Sequence, residues 1–292
     1  MIEILGLISF FYLAVKYRVA CEEQELRYFY SRRPWDLIQS VGNSDLAILA
    51  LHGFGVSPQM FDSWAKQWLK HGWSYSIPML TGSVGSIYAF EESNCLQWEQ
   101  RALNAYDTLR EQHKKVIIIG FSNGGLAALR VAQQRDPTAV ILLAPFFGLA
   151  GFIGAFGDWL IERLRYCPAK IFIPNKGLDC SDSKGVEKVF RFRHSPLRAV
   201  LSLFQFKQKV IQGGRVPCKV FWSHSERDHV ASYSKSLKLV HELASELDCL
   251  HLKQSYHYIM HDVESEQLEL AVLNFIENNC IQIDRNSEEL RS

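Results

Sequence analysis

A serine stands at the centre of Gly120-Phe121-Ser122-Asn123-Gly124, with the apolar run Val116-Ile117-Ile118-Ile119 before it and Leu126-Ala127-Ala128-Leu129 after it. That order predicts a buried strand, a sharp turn and then a helix, the setting in which G-x-S-x-G makes a nucleophile elbow. Such an elbow strains the serine backbone and brings strand and helix too close for a Cβ two residues to either side, which both glycines satisfy. Gly125 relaxes the first helical turn further. Outside that setting the pentapeptide is only moderately specific, and its serine can be incidental. A serine hydroxyl is a weak nucleophile by itself. It needs a base, an acid to orient the base, and two N–H groups to receive the oxyanion.

The elements that must position these partners are legible along the chain. Lys219-Val220-Phe221-Trp222 reads as a strand, left through Ser223-His224-Ser225-Glu226-Arg227-Asp228-His229-Val230. Asp228 is the expected acid: it precedes His229-Val230 and a new helix over 232–243, a turn that aims a short carboxylate inward. Glu226 is its rival. Cys249-Leu250-His251-Leu252 is the next strand, and His257 follows it, ahead of an amphipathic helix near 264–278. His257 is the expected base. His261 lies nearer that helix, where it is badly placed to reach back over the sheet edge. The two histidines also make an H-x-x-x-H pair, but no Glu lies between them as the zinc-protease helix requires, and no metal is expected. Finally, Leu46-Ala47-Ile48-Leu49-Ala50-Leu51 is a strand ending in His52-Gly53-Phe54-Gly55. Its turn offers the N–H of Phe54 as one oxyanion donor, and the residue after the nucleophile, Asn123, offers the other.

Ser122, Asp228 and His257 occur in the chain order Ser, acid, His. With the His52 to Gly55 turn, the stretch 225–230 and Ser255-Tyr256-His257 backed by Asp262 and Glu264, the sequence resembles the α/β-hydrolase superfamily. Within it the chain is similar to the branch of carboxylesterases and monoacylglycerol lipases, over most of 45–279. The resemblance implies a mostly parallel central sheet flanked by helices, with an inserted helical lid. It implies Ser122 as nucleophile, Asp228 as acid, His257 as base, and Phe54 and Asn123 as oxyanion donors. Many lipases of this branch carry Met or Gln after the serine; Asn123 keeps the backbone donor but makes the adjoining wall more polar.

The remaining features agree with one α/β enzyme. A chain of 292 residues with 48% hydrophobic content can bury a large core. A formal charge of +1 gives no reason to expect a nucleic-acid partner. Seven cysteines without close pairing suggest neither a disulfide framework nor a zinc knuckle. About seventy residues separate the strand 139–143 from that at 219, too many for one crossover helix. The insertion, about 146–215, is the expected lid, apolar and rich in aromatics (Phe147, Phe152, Phe156, Trp159), with a helix over 195–208. Some of these residues pack the insertion onto the core and others line an acyl pocket, which favours substrates with a hydrocarbon part.

At the N-terminus, Ile4 to Val15 is an apolar run followed by Lys16 and Arg18. As a helix its twelve residues rise about 18 Å, against ~30 Å for a hydrocarbon core. Residues 1–20 are therefore expected to form a membrane anchor, interfacial or spanning, with the catalytic body on the cytoplasmic side. A helix docked on the enzyme's own surface is the alternative. A signal peptide fits poorly, since Glu3 replaces a basic n-region and Arg18 would occupy the −3 position of a cut after Ala20. The hydrolase domain then covers 21–283 and a polar tail 284–292. The expected activity is hydrolysis of carboxylic esters or lipids through an acyl-enzyme, with no cofactor. Thioester, amide or acyl-transfer chemistry on the same triad is the first alternative, and a non-catalytic, membrane-tethered binding protein of this fold is the second.

Overall fold

The computed structural model describes residues 13–25, 37–39, 44–80, 82, 86–163, 170–175, 177–182 and 190–281. The polar tail and the first twelve residues of the apolar segment lie outside them. Strands rich in Ile, Val and Leu and buried on both faces demand a helix layer on each side. That is the arrangement found. A seven-stranded sheet runs in the order β1-β3-β2-β4-β5-β8-β9, comprising β1 (Leu37–Gln39), β2 (Leu46–Leu51), β3 (Ser74–Ile77), β4 (Lys115–Phe121), β5 (Ala139–Leu143), β8 (Val216–Ser225) and β9 (Ala244–Leu252). Only β1 is antiparallel to its neighbour.

Side-chain alternation divides the core in two. Leu49, Leu51, Ile118, Leu142 and Trp222 face a layer built from α4 (Cys95–Gln112), α5 (Asn123–Ala132), α7 (Leu197–Gln212) and α8 (Tyr233–Leu243). Ile48, Ile117, Ile119, Ile141 and Phe221 face α2 (Asp62–Lys70) and α9 (Ser265–Ile276). The chain moves from β2 out to β3, then returns across β2 to β4, so the direction of winding reverses between β2 and β4. A crevice opens at the carboxyl ends of strands at such a reversal. Ser122 follows β4 directly, and the His52-Gly53-Phe54 turn follows β2.

Two strands are longer than their apolar runs. β8 begins at Val216, but Pro217 has no N–H to give the ladder, and the register with β9 breaks between Val216 and Lys219. β9 begins at Ala244 because, as an edge strand, it tolerates exposed Ser245 and Glu246. Between β5 and β8 lie α6 (Phe152–Arg163), the antiparallel pair β6 (Phe172–Pro174) and β7 (His194–Pro196), and α7. Ser195 and Pro196 belong to β7, so the helix starts later than 195 and runs one turn past 208. Leu203, Phe204, Phe206 and Val210 of α7 pack into the core against α4 and α5. On α6, by contrast, Phe156 and Trp159 are more than half exposed and stack on one another at 5.6 Å.

Residues 13–25 form a helix, α1. Its Val19 is buried with Ile87, Phe90, Phe172, Phe192 and Ala199. Buried Glu23 accepts the N–H of Ile87 at 2.7 Å, filling an orphan donor at the start of α3 (Ile87–Glu92). Glu22, also buried, pairs with His194 Nδ1 at 2.6 Å. Among the described residues no helix is long and apolar enough to cross a membrane.

Candidate active site

The elbow forms as its glycines predict. Ser122 has φ 53° and ψ −113°, a conformation that a residue with a Cβ rarely adopts. Its N–H donates to Leu143 O at 2.9 Å, and its carbonyl accepts from Gly125 and Phe146. A Cβ on Gly124 would overlap the Leu51 carbonyl, and one on Gly120 would overlap the backbone of Gly124. Helix α5 thus starts pressed against the ends of β2 and β4.

Ser122, His257 and Asp228 come together from three separate segments. The Ser122 hydroxyl lies 3.1 Å from His257 Nε2 and can donate to it. His257 Nδ1 lies 2.7 Å from Asp228 Oδ2. All three residues are buried, at 6%, 4% and 7% exposure, so little water competes for these contacts. The Phe121 ring rests 5.1 Å from the imidazole. The other oxygen of Asp228, Oδ1, accepts the N–H groups of Val230 and Ala231, each at 2.7 Å. Burial alone would raise this carboxyl's pKa. Electrostatic attraction to the His257 imidazole and the hydrogen bonds from His224 and His257 outweigh it and hold Asp228 ionised, well below the usual carboxylate range. His261 instead hydrogen-bonds Met60 O through Nε2, so it and His257 face different partners.

Asn123 is the first residue of α5, fully buried. The first N–H groups of a helix have no carbonyl one turn earlier, and they carry the positive end of its dipole. Phe54 lies in the turn after β2, with its ring 4.9 Å from Phe90 and 6.0 Å from Trp98. A Cβ on Gly53 would sit 3.4 Å from Ser122 Cβ, so this turn runs against Ser122. His52 fastens it. The Leu80 N–H donates to His52 Nε2 at 2.8 Å, leaving Nδ1 as the protonated nitrogen that donates to Gly53 O, also at 2.8 Å.

Three residues around the site, His224, Asp179 and Arg191, are not read from the sequence as part of it. His224 lies near the end of β8, four residues before Asp228, which is a usable signal. Asp179, in the long insertion, has no such signal. Its carboxylate accepts the backbone N–H of both His229 and His257 at 3.1 Å, and it pairs with the His229 ring at 2.8 Å. Arg191, also in the insertion, forms a bridge with Val56, while Phe192 N–H donates to Gly55 O. Leu149 bridges Ala231, and Ala150 N–H donates to Val230 O at 3.0 Å. The insertion therefore touches all three loops that carry Phe54, Asp228 and His257.

Residues 42–266 match the sequence model of the family described as serine aminopeptidase, S33. The chain belongs to that family of α/β-hydrolases. It is 21% identical over 238 residues to the thermostable monoacylglycerol lipase of Bacillus sp. strain H-257, covering 80% of this chain and 91% of the lipase. Among solved structures, it resembles one from a study of the metagenome-derived lipolytic enzymes LipS and LipT (TM-score 0.74, 22% identity, 83% of this chain and 97% of that one). It also resembles a soluble variant of monoglyceride lipase from Saccharomyces cerevisiae (TM-score 0.72, 13% identity, 84% and 91%). At these identities the structures speak for the fold.

Proposed function

We propose that this chain is a serine hydrolase of carboxylic esters with an apolar acyl part, of the carboxylesterase or monoacylglycerol-lipase kind. The observation that carries the reading is the continuous path from the Ser122 hydroxyl through His257 to an ionised Asp228, mounted on a strained elbow. His257 Nε2 takes the Ser122 proton as the oxygen attacks the ester carbonyl. The tetrahedral oxyanion is received by the N–H groups of Phe54 and Asn123. The alcohol departs with the proton from His257, and water, deprotonated by the same imidazole, then releases the acid and restores Ser122.

The insertion acts as the lid in this reading. Its contacts to all three site loops support that role, and the exposed aromatic pair of α6 suits a hydrocarbon substrate. An aminopeptidase needs an available carboxylate near the serine to hold the substrate's ammonium. Asp179, Asp262 and Glu264, beside the His257 loop, are instead engaged with backbone N–H groups. None of these three is therefore free to hold an ammonium.

For residues 1–20 the reading is an attachment at the membrane interface, with the body on the cytoplasmic side. Val19 of α1 packs into the protein, and Glu22 and Glu23 beyond it bond to it, so the segment is not free to insert as far as Ala20. Removing residues 1–12 should release the protein from phosphatidylcholine vesicles while p-nitrophenyl acetate turnover persists.

Ser122→Ala tests the activity itself. The variant should keep its fold by circular dichroism and lose both p-nitrophenyl ester turnover and fluorophosphonate labelling. Turnover that survives the substitution refutes the assignment. Parallel assays with thioesters and amides separate esterase from the other acyl chemistries open to the same triad.

A further inference from the structure

His224 is the penultimate residue of β8, four residues before Asp228, and is fully buried. Its Nε2 lies 2.8 Å from Asp228 Oδ2, the same oxygen that meets His257 Nδ1 at 2.7 Å. Two imidazoles, one on β8 and one in the segment after β9, therefore converge on one carboxylate oxygen. Nε2 also lies 3.3 Å from Ala231 O, so it faces two acceptors and must carry the proton. The other nitrogen, Nδ1, is buried without a hydrogen-bond partner. The ring is enclosed by Trp222 at 5.8 Å and, edge-on, by Tyr233 at 5.9 Å. The Tyr233 hydroxyl is itself turned to His251 Nδ1.

These neighbours fix the form of the ring. A cationic His224 would bury a second N–H with nothing to accept it, which is costly in an apolar enclosure. Neutral, it donates from Nε2 and leaves the charge of Asp228 undiminished for the imidazolium that forms on His257 during attack. The carboxylate then takes four hydrogen bonds: two backbone donors on Oδ1, and two imidazoles on Oδ2. None of its lone pairs is left to turn it elsewhere.

We propose that His224 is a positioning residue of the triad, a neutral donor that fixes Oδ2 of Asp228 in line with Nδ1 of His257. The inference rests on the esterase reading, but its test is separate. Glutamine at 224 can bring an amide N–H to the position of Nε2; methionine has similar bulk and no donor. His224→Met should lower kcat for a p-nitrophenyl ester by on the order of ten- to a hundredfold, with KM changed less than about twofold. His224→Gln should recover most of that loss. In an Asp228→Asn background His224→Met should cost little more, because the group it acts through is already gone. Equal kcat in the Met variant and the wild type would overturn the proposal, as would a full additional loss on top of Asp228→Asn. If His224→Met fails to fold, the comparison passes to His224→Gln and the shorter His224→Asn: similar kcat values would equally overturn it. Failure of Ser122→Ala to abolish turnover is a different result, and it removes the esterase reading instead.

Discussion

The backbone N–H of His257 donates to the carboxylate of Asp179, 3.1 Å away and 78 positions earlier in the chain. The side chain of His257 is thus held by Asp228 and its main chain by a residue of the insertion. The same carboxylate grips the main chain and ring of His229, next to Asp228. A misplacement of ~1 Å at a reacting group can cost on the order of a hundredfold in rate. Asp179→Ala removes the oxygen that accepts both backbone N–H groups. It should lower kcat by roughly tenfold with KM nearly unchanged, read from steady-state ester kinetics; unchanged kcat would show that the base keeps its place unaided.

The backbone of Ser122 predicts a stability effect opposite in sign to its effect on activity. A non-glycine residue held at φ 53° stores strain of about 1–3 kcal/mol. Glycine removes that strain but adds about 0.4–1 kcal/mol of unfolded-state entropy. Ser122→Gly should therefore be inactive and more stable by about 1 kcal/mol, whereas Ser122→Ala keeps the strain. Chemical denaturation of the two variants side by side measures the difference.

How much of this was legible depended on whether a residue's role is local. Ser122, Asp228 and His257 each follow an apolar strand and precede a helix, so the order of elements fixed which sheet edge they share. β2 and β5 match their apolar runs residue for residue because both are buried on both faces. β9 extends beyond the apolar stretch 249–252 because an edge strand carries polar residues that resemble a loop. Asp179 and Glu22 could not be read at all. Their importance comes from partners 50 to 172 positions away, and nothing in a polar stretch marks which carboxylate will find a buried donor.

Acid should loosen the segment around His257. Asp262 accepts the N–H groups of Tyr256, Ser181 and Val263, and also the Ser181 hydroxyl. Glu264 accepts those of Lys253, Gln254 and Ser255. Burial pushes both carboxyls up, but these hydrogen bonds outweigh it and hold both below their ordinary values. A carboxyl depressed in the folded state stabilises fully above its unfolded pKa, about 4. That contribution drains away as pH falls through the lower folded value. Melting temperature should therefore drop from about pH 5 downwards, and Asp262→Asn with Glu264→Gln should be less stable at neutral pH and show a flatter profile. Thermal scans across that range decide it.

At Gly124 the demand is steric. Any Cβ there collides with the Leu51 carbonyl, which belongs to a buried strand and has no room to retreat. Gly124→Ala should cost about 3 kcal/mol or more and show itself as a lower denaturation midpoint, while Gly72→Ala, which meets no neighbour and bears only the cost of φ 73°, should be milder.

That collision also says something about adaptation. The first turn of α5 and the end of β2 are wedged together without a spare methyl's width, so Ser122 and the turn that carries Phe54 behave as a single casting. Selection for a new acyl group has no freedom to adjust one against the other. On the proposed esterase reading, substrate preference has to be rewritten outside the casting, in the insertion between β5 and β8.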